Sequence, residues 1–279
     1  MAGTDHDATT PAAATPAGET ARPIFVIGSP RSGTTLLRLI LDSHPRISCG
    51  EETHFLRDLE AIVGRNWHLV STYGLDRAWW LAHIRALYGD FQVEVLARSG
   101  KARWAEKDPT YTLHLGFIEE LFPDALYVHL LRDGHDVVAS FRDRWGYLSA
   151  TRAARSEWAR YVRAARALEK RLPAARFLEL RYEDLVRQPE AEGRRLFDFL
   201  GEAWHPAVLE LDPTAHRATD RYQWFTAQRR EAGGDAATIY RSRVGTGGDS
   251  LDPFLRTMLR RLHGTLLDEL GYLDRDGST

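Results

Sequence analysis

The segment from Gly28 to Thr35 has the residue types and spacing of a loop that binds a phosphate group. Gly28 and Gly33 would let successive backbone N–H groups converge on one anion, and a helix that begins directly after them would add a partial positive charge. Thr34 and Thr35 could donate hydroxyl hydrogen bonds to the same anion. A tight turn would explain the glycines alone, but an apolar run before the loop and a leucine-rich stretch after it favour an anion-binding loop.

The loop lacks a lysine that is common in enzymes acting on nucleoside triphosphates. Those enzymes place the lysine beside the helix start, where it reaches the β and γ phosphates, and this chain has Thr34 at that position. A cation stands inside the loop instead, because Arg31 follows Pro30. Its planar guanidinium can hold a terminal anionic group through two parallel hydrogen bonds. The residues therefore indicate an anionic ligand other than a nucleoside triphosphate.

Two segments resemble the donor-binding motifs of the sulfotransferase family. The first is the loop itself, which is similar to the family's 5′-phosphosulfate loop and reads Pro30-Arg31-Ser32-Gly33-Thr34-Thr35. The second runs from Leu131 to Ser140 and resembles the strand-to-helix segment in which an arginine and a serine bind the donor's 3′-phosphate. The resemblance gives these roles to Arg132 and Ser140. On the residues alone, an ion pair between Arg132 and Asp133 and a serine that packs in a helix remain the alternative.

Within the family, the chain most resembles the tyrosylprotein sulfotransferases and their bacterial relatives. The resemblance rests on Leu41-Asp42-Ser43-His44-Pro45, which runs into Cys49-Gly50-Glu51-Glu52-Thr53. It implies that Glu52 is the general base that removes the acceptor's proton. Without the resemblance, Glu51 and Glu52 would be interpreted as a solvated pair or as helix-start charges. His54 is the rival base, because histidine titrates close to neutral pH.

Three further segments resemble parts of the same site. Trp104-Ala105-Glu106-Lys107-Asp108-Pro109 matches a segment whose lysine contacts the transferring sulfuryl group, which implies that role for Lys107. Arg181-Tyr182-Glu183-Asp184-Leu185 resembles a segment whose tyrosine, here Tyr182, helps to hold the adenine. Arg241-Ser242-Arg243-Val244-Gly245 is expected to supply late donor contacts through Arg241, Arg243 and Gly245.

The resemblance implies transfer of a sulfuryl group from 3′-phosphoadenosine 5′-phosphosulfate to a hydroxyl acceptor, with adenosine 3′,5′-bisphosphate as the product. Arg31 and Lys107 would neutralise the charge that develops during in-line displacement, so no metal is expected. The basic residues that follow the Gly-Glu-Glu-Thr segment in the tyrosylprotein enzymes correspond here to His54 and Asp58. The acceptor therefore stays open among a small natural product, a carbohydrate or lipid, and tyrosine. A divergent P-loop nucleotide kinase and a non-catalytic nucleotide-binding protein are the alternatives.

The elements that must position these residues alternate between strands and helices. Apolar runs predict strands at 24–27, 103–105, 126–131 and 176–180, and a helical pattern includes Trp158 and Leu168. This alternation predicts an α/β fold with a P-loop-type, doubly wound parallel sheet, flanked by helices in a single domain over 23–273. A final helix is predicted between a cap at Asp252 and a stop at Gly271. Its apolar stripe consists of Leu255, Met258, Leu259, Leu262, Leu266, Leu267 and Leu270.

The bulk properties exclude several classes of protein. A formal net charge of −2 and a pI near 6.6 give no general attraction to nucleic acid, so none is expected as a partner. Cys49 is the single cysteine, which excludes an internal disulfide and favours a reducing, cytoplasmic location. Residues 1–22 lack a secretory signal pattern and are expected to form a disordered tail, with a short tail at 274–279. No apolar run is long enough for a transmembrane helix. The oligomeric state stays open, with a homodimer as one possibility.

Overall fold

Five short strands form one parallel sheet in the computed structural model, which describes residues 22–209, 211, 245 and 251–273. The spatial order is β2-β3-β1-β4-β5. The strands are β1 Ile24–Gly28, β2 Ile47–Cys49, β3 Arg103–Lys107, β4 Leu126–Leu131 and β5 Phe177–Arg181. Each strand pairs in parallel with its neighbours, as the alternation of strands and helices predicts.

Helices connect the strands and cover both faces of the sheet. The α-helices are α1 Thr34–Asp42, α2 Phe55–Val70, α3 Arg77–Ser99, α4 Leu115–Leu121, α5 Gly134–Trp145, α6 Tyr147–Arg152, α7 Trp158–Glu169, α8 Tyr182–Arg187, α9 Pro189–Leu200 and α10 Pro253–Glu269. Short 3-10 turns lie at Ser71–Tyr73, Pro109–Leu113, Ala174–Arg176 and Pro206–Leu209, and a π-helical turn at Ala153–Glu157 joins α6 to α7. The doubly wound α/β architecture is confirmed.

The central strand divides its side chains between two apolar layers, because successive residues of a strand point to opposite faces. Ile24 and Val26 pack in a cluster that includes α1, α8 and α9. Phe25 and Ile27 pack on the other face among aromatic and aliphatic residues of α3 and α4. A third cluster joins α5, α6 and α7 to α10 and contains the fully buried Trp158. One sheet therefore organises the described elements.

The structure corrects the sequence prediction at several elements. The strand β2 was not predicted, β3 extends two residues beyond the predicted end to Lys107, and β5 begins one residue later, at Phe177. In α10, Asp252 caps the helix as predicted, by accepting a hydrogen bond from the Phe254 N–H at 2.9 Å. Leu262 does not belong to the buried stripe, since 51% of it is exposed. The neighbouring His263 has a non-helical backbone (φ −135°), which bends the helix there.

The parallel strands all end at the same edge of the sheet. Gly28 closes β1 there, flanked by Lys107 at the end of β3 and by Arg132 directly after β4, because Val26 is level with Lys107 and Gly28 with Leu130. Open α/β sheets bind ligands at this edge, where the strand order reverses. Among the described residues, no helix is both long and apolar enough to cross a membrane.

Candidate functional site

The loop after β1 has a backbone shape that few residue types adopt. Gly28 has φ 151°, Arg31 has φ 70° and Gly33 has φ 100°, so three positions lie in the region that favours glycine. The Ser32 N–H donates a hydrogen bond to the Ser29 carbonyl at 3.1 Å, which closes the turn. Thr112 fixes the start of the loop, since its hydroxyl accepts from the Gly28 N–H at 2.8 Å and donates to the Gly28 carbonyl at 3.1 Å.

Ser32 is a buried polar residue whose hydroxyl is suited to contact a ligand. It is 1% exposed, and its hydroxyl oxygen has no hydrogen-bond partner among the described residues. A buried polar group without a partner costs roughly 1–3 kcal/mol, so such groups usually have one in the functional state. Because Ser32 precedes the first turn of α1, where free backbone N–H groups attract anions, a phosphate oxygen is a chemically suitable partner.

Gly33 allows the ring of Tyr182 to lie directly against the loop. A Cβ atom added at Gly33 would lie 2.4 Å from Cδ2 of Tyr182. We expect Gly33→Ala to destabilise the fold by about 2 kcal/mol or more, because it combines this overlap with a left-handed backbone, and to abolish nucleotide binding. Thermal unfolding and calorimetry with adenosine 3′,5′-bisphosphate measure both effects. Gly116→Ala is the matched control, since a Cβ atom there meets nothing within 4 Å.

An arginine pair consists of Arg31, which is part of the loop, and Arg132, which follows β4. The Arg31 guanidinium donates from Nε to the Ser140 hydroxyl at 3.0 Å and lies 5.6 Å from the ring centre of Trp145. Arg132 donates to the Arg31 carbonyl at 3.2 Å and stacks over the Tyr182 ring at 4.3 Å. The structure thus brings together four of the residues predicted to bind the donor.

Asp136 connects the arginine pair to the one described residue of the late donor segment. Its Oδ2 atom accepts from Arg132 at 3.4 Å and from the Gly245 N–H at 3.0 Å. Gly245 therefore lies at the predicted site. Arg241 and Arg243 lie outside the described residues.

A second group of charged residues, the lysine cluster, lies where β3 ends and consists of Glu52, His54, Lys107 and Asp108. Lys107 is 2% exposed and its ammonium donates to Oε1 of Glu52. Glu51 has a different partner, since it pairs with the buried Arg38 of α1 at 2.9 Å. The two neighbouring glutamates are therefore not a solvated pair, and Glu52 alone joins Lys107.

Sequence reasoning missed the contact between Asp108 and His54. Their side chains meet at 2.5 Å, although they are 54 residues apart in the chain. Ring and carboxylate atoms of Glu52, His54 and Asp108 also lie within 4.8 Å of one another. No spacing in the sequence indicates this grouping, because it depends on β3 ending beside the segment that leads into α2.

Glu106 is a buried carboxylate next to the lysine cluster. Burial raises the pKa of Glu106 to about 7, and the hydrogen bond from Thr53 at 2.8 Å offsets this only in part. A raised folded-state pKa stabilises the fold below pH 4.5, and this stabilisation is lost as the pH rises through 7. As the pH rises from 5 to 8, we expect the free energy of unfolding of Glu106→Gln to rise by about 2 kcal/mol relative to that of the parent chain. Urea unfolding at each pH measures this difference.

Glu179 is the control for this prediction, because its pKa is shifted in the opposite direction. Burial would raise the pKa of Glu179, but the hydrogen bond and charge of His129, with help from Arg166, lower it overall. Its stabilisation is present above the ordinary pKa of glutamate and is lost in acid. Glu179→Gln should therefore lose stability relative to the parent as the pH rises from 3 to 5. If the difference in the free energy of unfolding between Glu106→Gln and the parent chain stays constant from pH 5 to pH 8, the prediction is contradicted.

The fold and the arrangement of the site together define a class of protein. A parallel sheet whose central strand runs into a glycine loop, with cations at the ends of both neighbouring strands, is the architecture of a P-loop-type α/β protein. The family model described as "Sulfotransferase family" matches residues 23–206. The chain belongs to the sulfotransferase family.

Curated relatives and solved structures agree with this family. The chain is 32% identical over 199 residues to protein-tyrosine sulfotransferase A of Caenorhabditis elegans, covering 67% of this chain and 51% of the relative. It is 32% identical over 213 residues to protein-tyrosine sulfotransferase 1 of Danio rerio, covering 70% and 57%. The chain thus spans about half the length of these relatives. The sulfotransferase domain of the Synechococcus PCC 7002 olefin synthase superimposes with a TM-score of 0.64 at 26% identity, covering 90% of this chain and 96% of that one.

Proposed function

We propose that this chain transfers a sulfuryl group from 3′-phosphoadenosine 5′-phosphosulfate to a hydroxyl acceptor. The observation that carries the proposal is the position of one phosphate loop, itself containing Arg31, between Arg132 on one side and Lys107 on the other. Arg132 lies on the β4 side and contacts Arg31, and Lys107 lies on the β3 side. The proposed donor has a matching charge distribution, with a phosphate at its 3′ end and a phosphosulfate at its 5′ end.

The described residues fit this donor. Arg132 and Ser140 are suited to the 3′-phosphate, since an arginine fork and a hydroxyl both donate to phosphate oxygens. The backbone of the loop and the Ser32 hydroxyl are suited to the 5′-phosphate. Tyr182 offers an aromatic surface next to the loop for the adenine. Arg31 donates from Nε to Ser140, and the terminal nitrogens of its guanidinium are suited to donate to the phosphosulfate.

In the proposed reaction, the acceptor oxygen bonds to sulfur while the bond between sulfur and the phosphate oxygen breaks. The electrons of that bond leave with adenosine 3′,5′-bisphosphate, and the hydroxyl proton passes to a base. Lys107 neutralises negative charge at the sulfuryl oxygens, which is the part that metal ions play in phosphoryl transfer. Glu52 contacts Lys107, and a ring nitrogen of His54 lies within 4.8 Å of a Glu52 carboxylate oxygen, so both residues are candidates for the base.

The start of α2 favours a neutral acceptor over an acidic peptide. Arg57 is the positive residue in this turn, and its guanidinium pairs with the adjacent Asp58 at 2.8 Å. The two adjacent charges offset each other, so this turn presents no net positive charge to an acidic peptide. The Caenorhabditis and Danio relatives are named as protein-tyrosine sulfotransferases. We propose that this chain differs from them by accepting an uncharged alcohol or phenol.

Calorimetry tests the donor and a panel of acceptors tests the transfer. We expect adenosine 3′,5′-bisphosphate to bind without magnesium, and ATP with magnesium to bind at least tenfold more weakly. Incubation with the sulfate donor and 2-naphthol, 1-butanol, glucose or an acidic tyrosine peptide should yield a sulfated product by mass spectrometry, with a neutral hydroxyl compound preferred. Binding of ATP alone would support a kinase instead, and bisphosphate binding without any transfer would support a non-catalytic protein.

A further inference from the structure

Asp108 has the environment of a carboxylate that orients another side chain. It is fully buried, and its Oδ1 atom accepts hydrogen bonds from the backbone N–H and the hydroxyl of Thr110 at 2.9 and 2.7 Å. Its Oδ2 atom faces Nδ1 of His54 at 2.5 Å. An ionised carboxylate only accepts hydrogen bonds, and Thr110 donates to the Oδ1 atom of Asp108. Oδ2 is therefore the acceptor in the contact with His54, and Nδ1 of His54 carries the proton. The other ring nitrogen, Nε2, is then the basic atom.

The backbone of His54 has an energetically unfavourable conformation in this contact. It has φ 57°, and only one other non-glycine residue among those described, Arg31 of the phosphate loop, has a positive φ. A left-handed backbone is unfavourable for a residue that has a Cβ atom, and strain of this kind tends to persist at functional sites. The side chain is 29% exposed, so a ligand at the edge of the sheet can reach the ring.

Glu52 is the less available of the two bases. Its Oε1 atom accepts from the buried Lys107 ammonium, and a carboxylate in such a pair is stabilised in its charged form. Taking a proton from an acceptor would neutralise Glu52 and leave Lys107 without that partner. His54 has no such conflict, because protonation of its ring places a positive charge against the Asp108 carboxylate, which stabilises it.

We propose that His54, oriented by Asp108, takes the proton from the acceptor hydroxyl, and that Glu52 positions Lys107. The inference rests on the proposed sulfuryl transfer. As the acceptor oxygen bonds to sulfur, its O–H bond breaks and the proton moves to Nε2 of His54. This arrangement gives His54 the role that the family resemblance implies for Glu52.

The groups that surround His54 determine its dependence on pH. Asp108 and Glu52 are the acidic groups within 4.8 Å of a His54 ring nitrogen, and Lys107 is the basic group that Glu52 contacts. The remaining titratable groups are further along the same elements or lie near Asp108: Arg57 and Asp58 on α2, Glu106 on β3, Tyr111 after β3 and Tyr161 on α7. A bound cation is a poor alternative occupant, because the Lys107 ammonium already lies within the cluster and Asp108 uses both oxygens.

The decisive experiment compares variants of His54 with a matched histidine. His54→Asn suits the left-handed backbone, because asparagine tolerates it better than most residues. We expect it to lower kcat by about 10²-fold or more, the usual contribution of a general base, and to remove the ascending limb of kcat against pH. The dissociation constant of adenosine 3′,5′-bisphosphate should stay within about threefold of the parent value, because no donor-binding group is changed. The reaction followed is formation of the bisphosphate with 2-naphthol or with water as the acceptor.

Two further variants separate orientation from base catalysis. Asp108→Asn should keep the ascending limb but move it to lower pH, because the charged ring loses the carboxylate that stabilises it. Glu52→Gln should keep the limb in place while kcat falls by about tenfold, a smaller loss than that of the base. His114→Asn is the control: His114 contacts Glu60 in a similar exposed pair, outside the lysine cluster, and its loss should leave kcat and the pH profile unchanged.

The outcomes distinguish this inference from the proposed function. If the bisphosphate does not bind and no donor is consumed by the parent chain, the sulfotransferase proposal fails. In that case, nitrogen-15 NMR of the His54 imidazole tests the inference separately. The inference requires a proton on Nδ1 in the parent chain, and the Nδ1 signal should shift in Asp108→Asn. If the parent is active and His54→Asn retains kcat within twofold, or if only Glu52→Gln loses the ascending limb, the inference is wrong.

Discussion

Replacing Arg132 with alanine should weaken binding of adenosine 3′,5′-bisphosphate by about 100-fold or more. A guanidinium that donates to a phosphate in a buried site contributes roughly 3 kcal/mol, and its loss leaves the phosphate without that partner. Arg132 is 5% exposed and stacks on Tyr182, so its guanidinium is already oriented before the ligand binds. Isothermal titration calorimetry with the purified variant measures the loss.

Adenosine 5′-monophosphate distinguishes recognition of the 3′-phosphate from general damage to the site. It lacks the 3′-phosphate, so its affinity should change by less than about threefold in Arg132→Ala if this arginine reads that phosphate. Equal losses for both nucleotides would contradict the assignment. Ser140→Ala should show the same selectivity with a smaller loss of about tenfold, as expected for a single hydroxyl hydrogen bond.

Two control variants account for the structural role of Arg132. Arg132 also pairs with the buried Asp136, so its removal will lower stability. Arg132→Lys keeps the charge and should bind the bisphosphate with intermediate affinity, because lysine lacks the planar fork. Arg181→Ala removes an arginine at the end of the neighbouring strand that lies over the ring of Tyr272 at 5.1 Å. It should lower stability without changing the preference for the bisphosphate.

The features that were predicted from the sequence are those that depend on local patterns. The glycine loop, the strand before it and the helix after it occupy a continuous segment, and their residue types determine the backbone there. The cap of α10 was predicted for the same reason, since Asp252 and the N–H groups that it binds are adjacent. The strand β2 was missed because three residues, Ile47–Cys49, are too few to show a period.

The pairings within the site could not be predicted, because they join distant parts of the chain. Arg31 and Ser140 are 109 residues apart, and their contact depends on α5 following β4 next to the loop. Likewise, the resemblance singles out Glu52, but only the packing of α1 and β3 shows that Glu51 pairs with Arg38 and Glu52 with Lys107. The roles of these residues, the cytoplasmic location and the homodimer stay predictions.

Replacing Lys107 with methionine should lower kcat by about 10³-fold, because in the proposed reaction it removes the cation that neutralises the charge developing in the transition state. Methionine keeps most of the side-chain volume, so the core beside β3 should stay packed. Adenosine 3′,5′-bisphosphate lacks the sulfuryl group, so its affinity should stay within about threefold of the parent value. Steady-state kinetics with 2-naphthol and calorimetry with the bisphosphate measure the two quantities.

Lys101→Met is the matched control, since Lys101 precedes the same strand at its opposite end. Its ammonium pairs with Asp42 at 3.1 Å and donates to the Ile47 carbonyl at 2.9 Å, so its loss affects packing outside the lysine cluster. We expect kcat to change by less than about twofold, as for most changes away from the reacting groups. A loss comparable to that of Lys107→Met would show that breaking any lysine contact next to β3 is enough to lower kcat.

The double variant Lys107→Met with Glu52→Gln separates catalysis from pairing. If Lys107 matters only because its removal leaves the Glu52 carboxylate unpaired in a partly buried site, neutralising Glu52 should restore kcat. If Lys107 neutralises the sulfuryl oxygens, the double variant should stay about 10³-fold slow, because the charge on the transferring group still has no partner. Recovery to within about tenfold of the Glu52→Gln variant would therefore reassign Lys107 from the reaction to the fold.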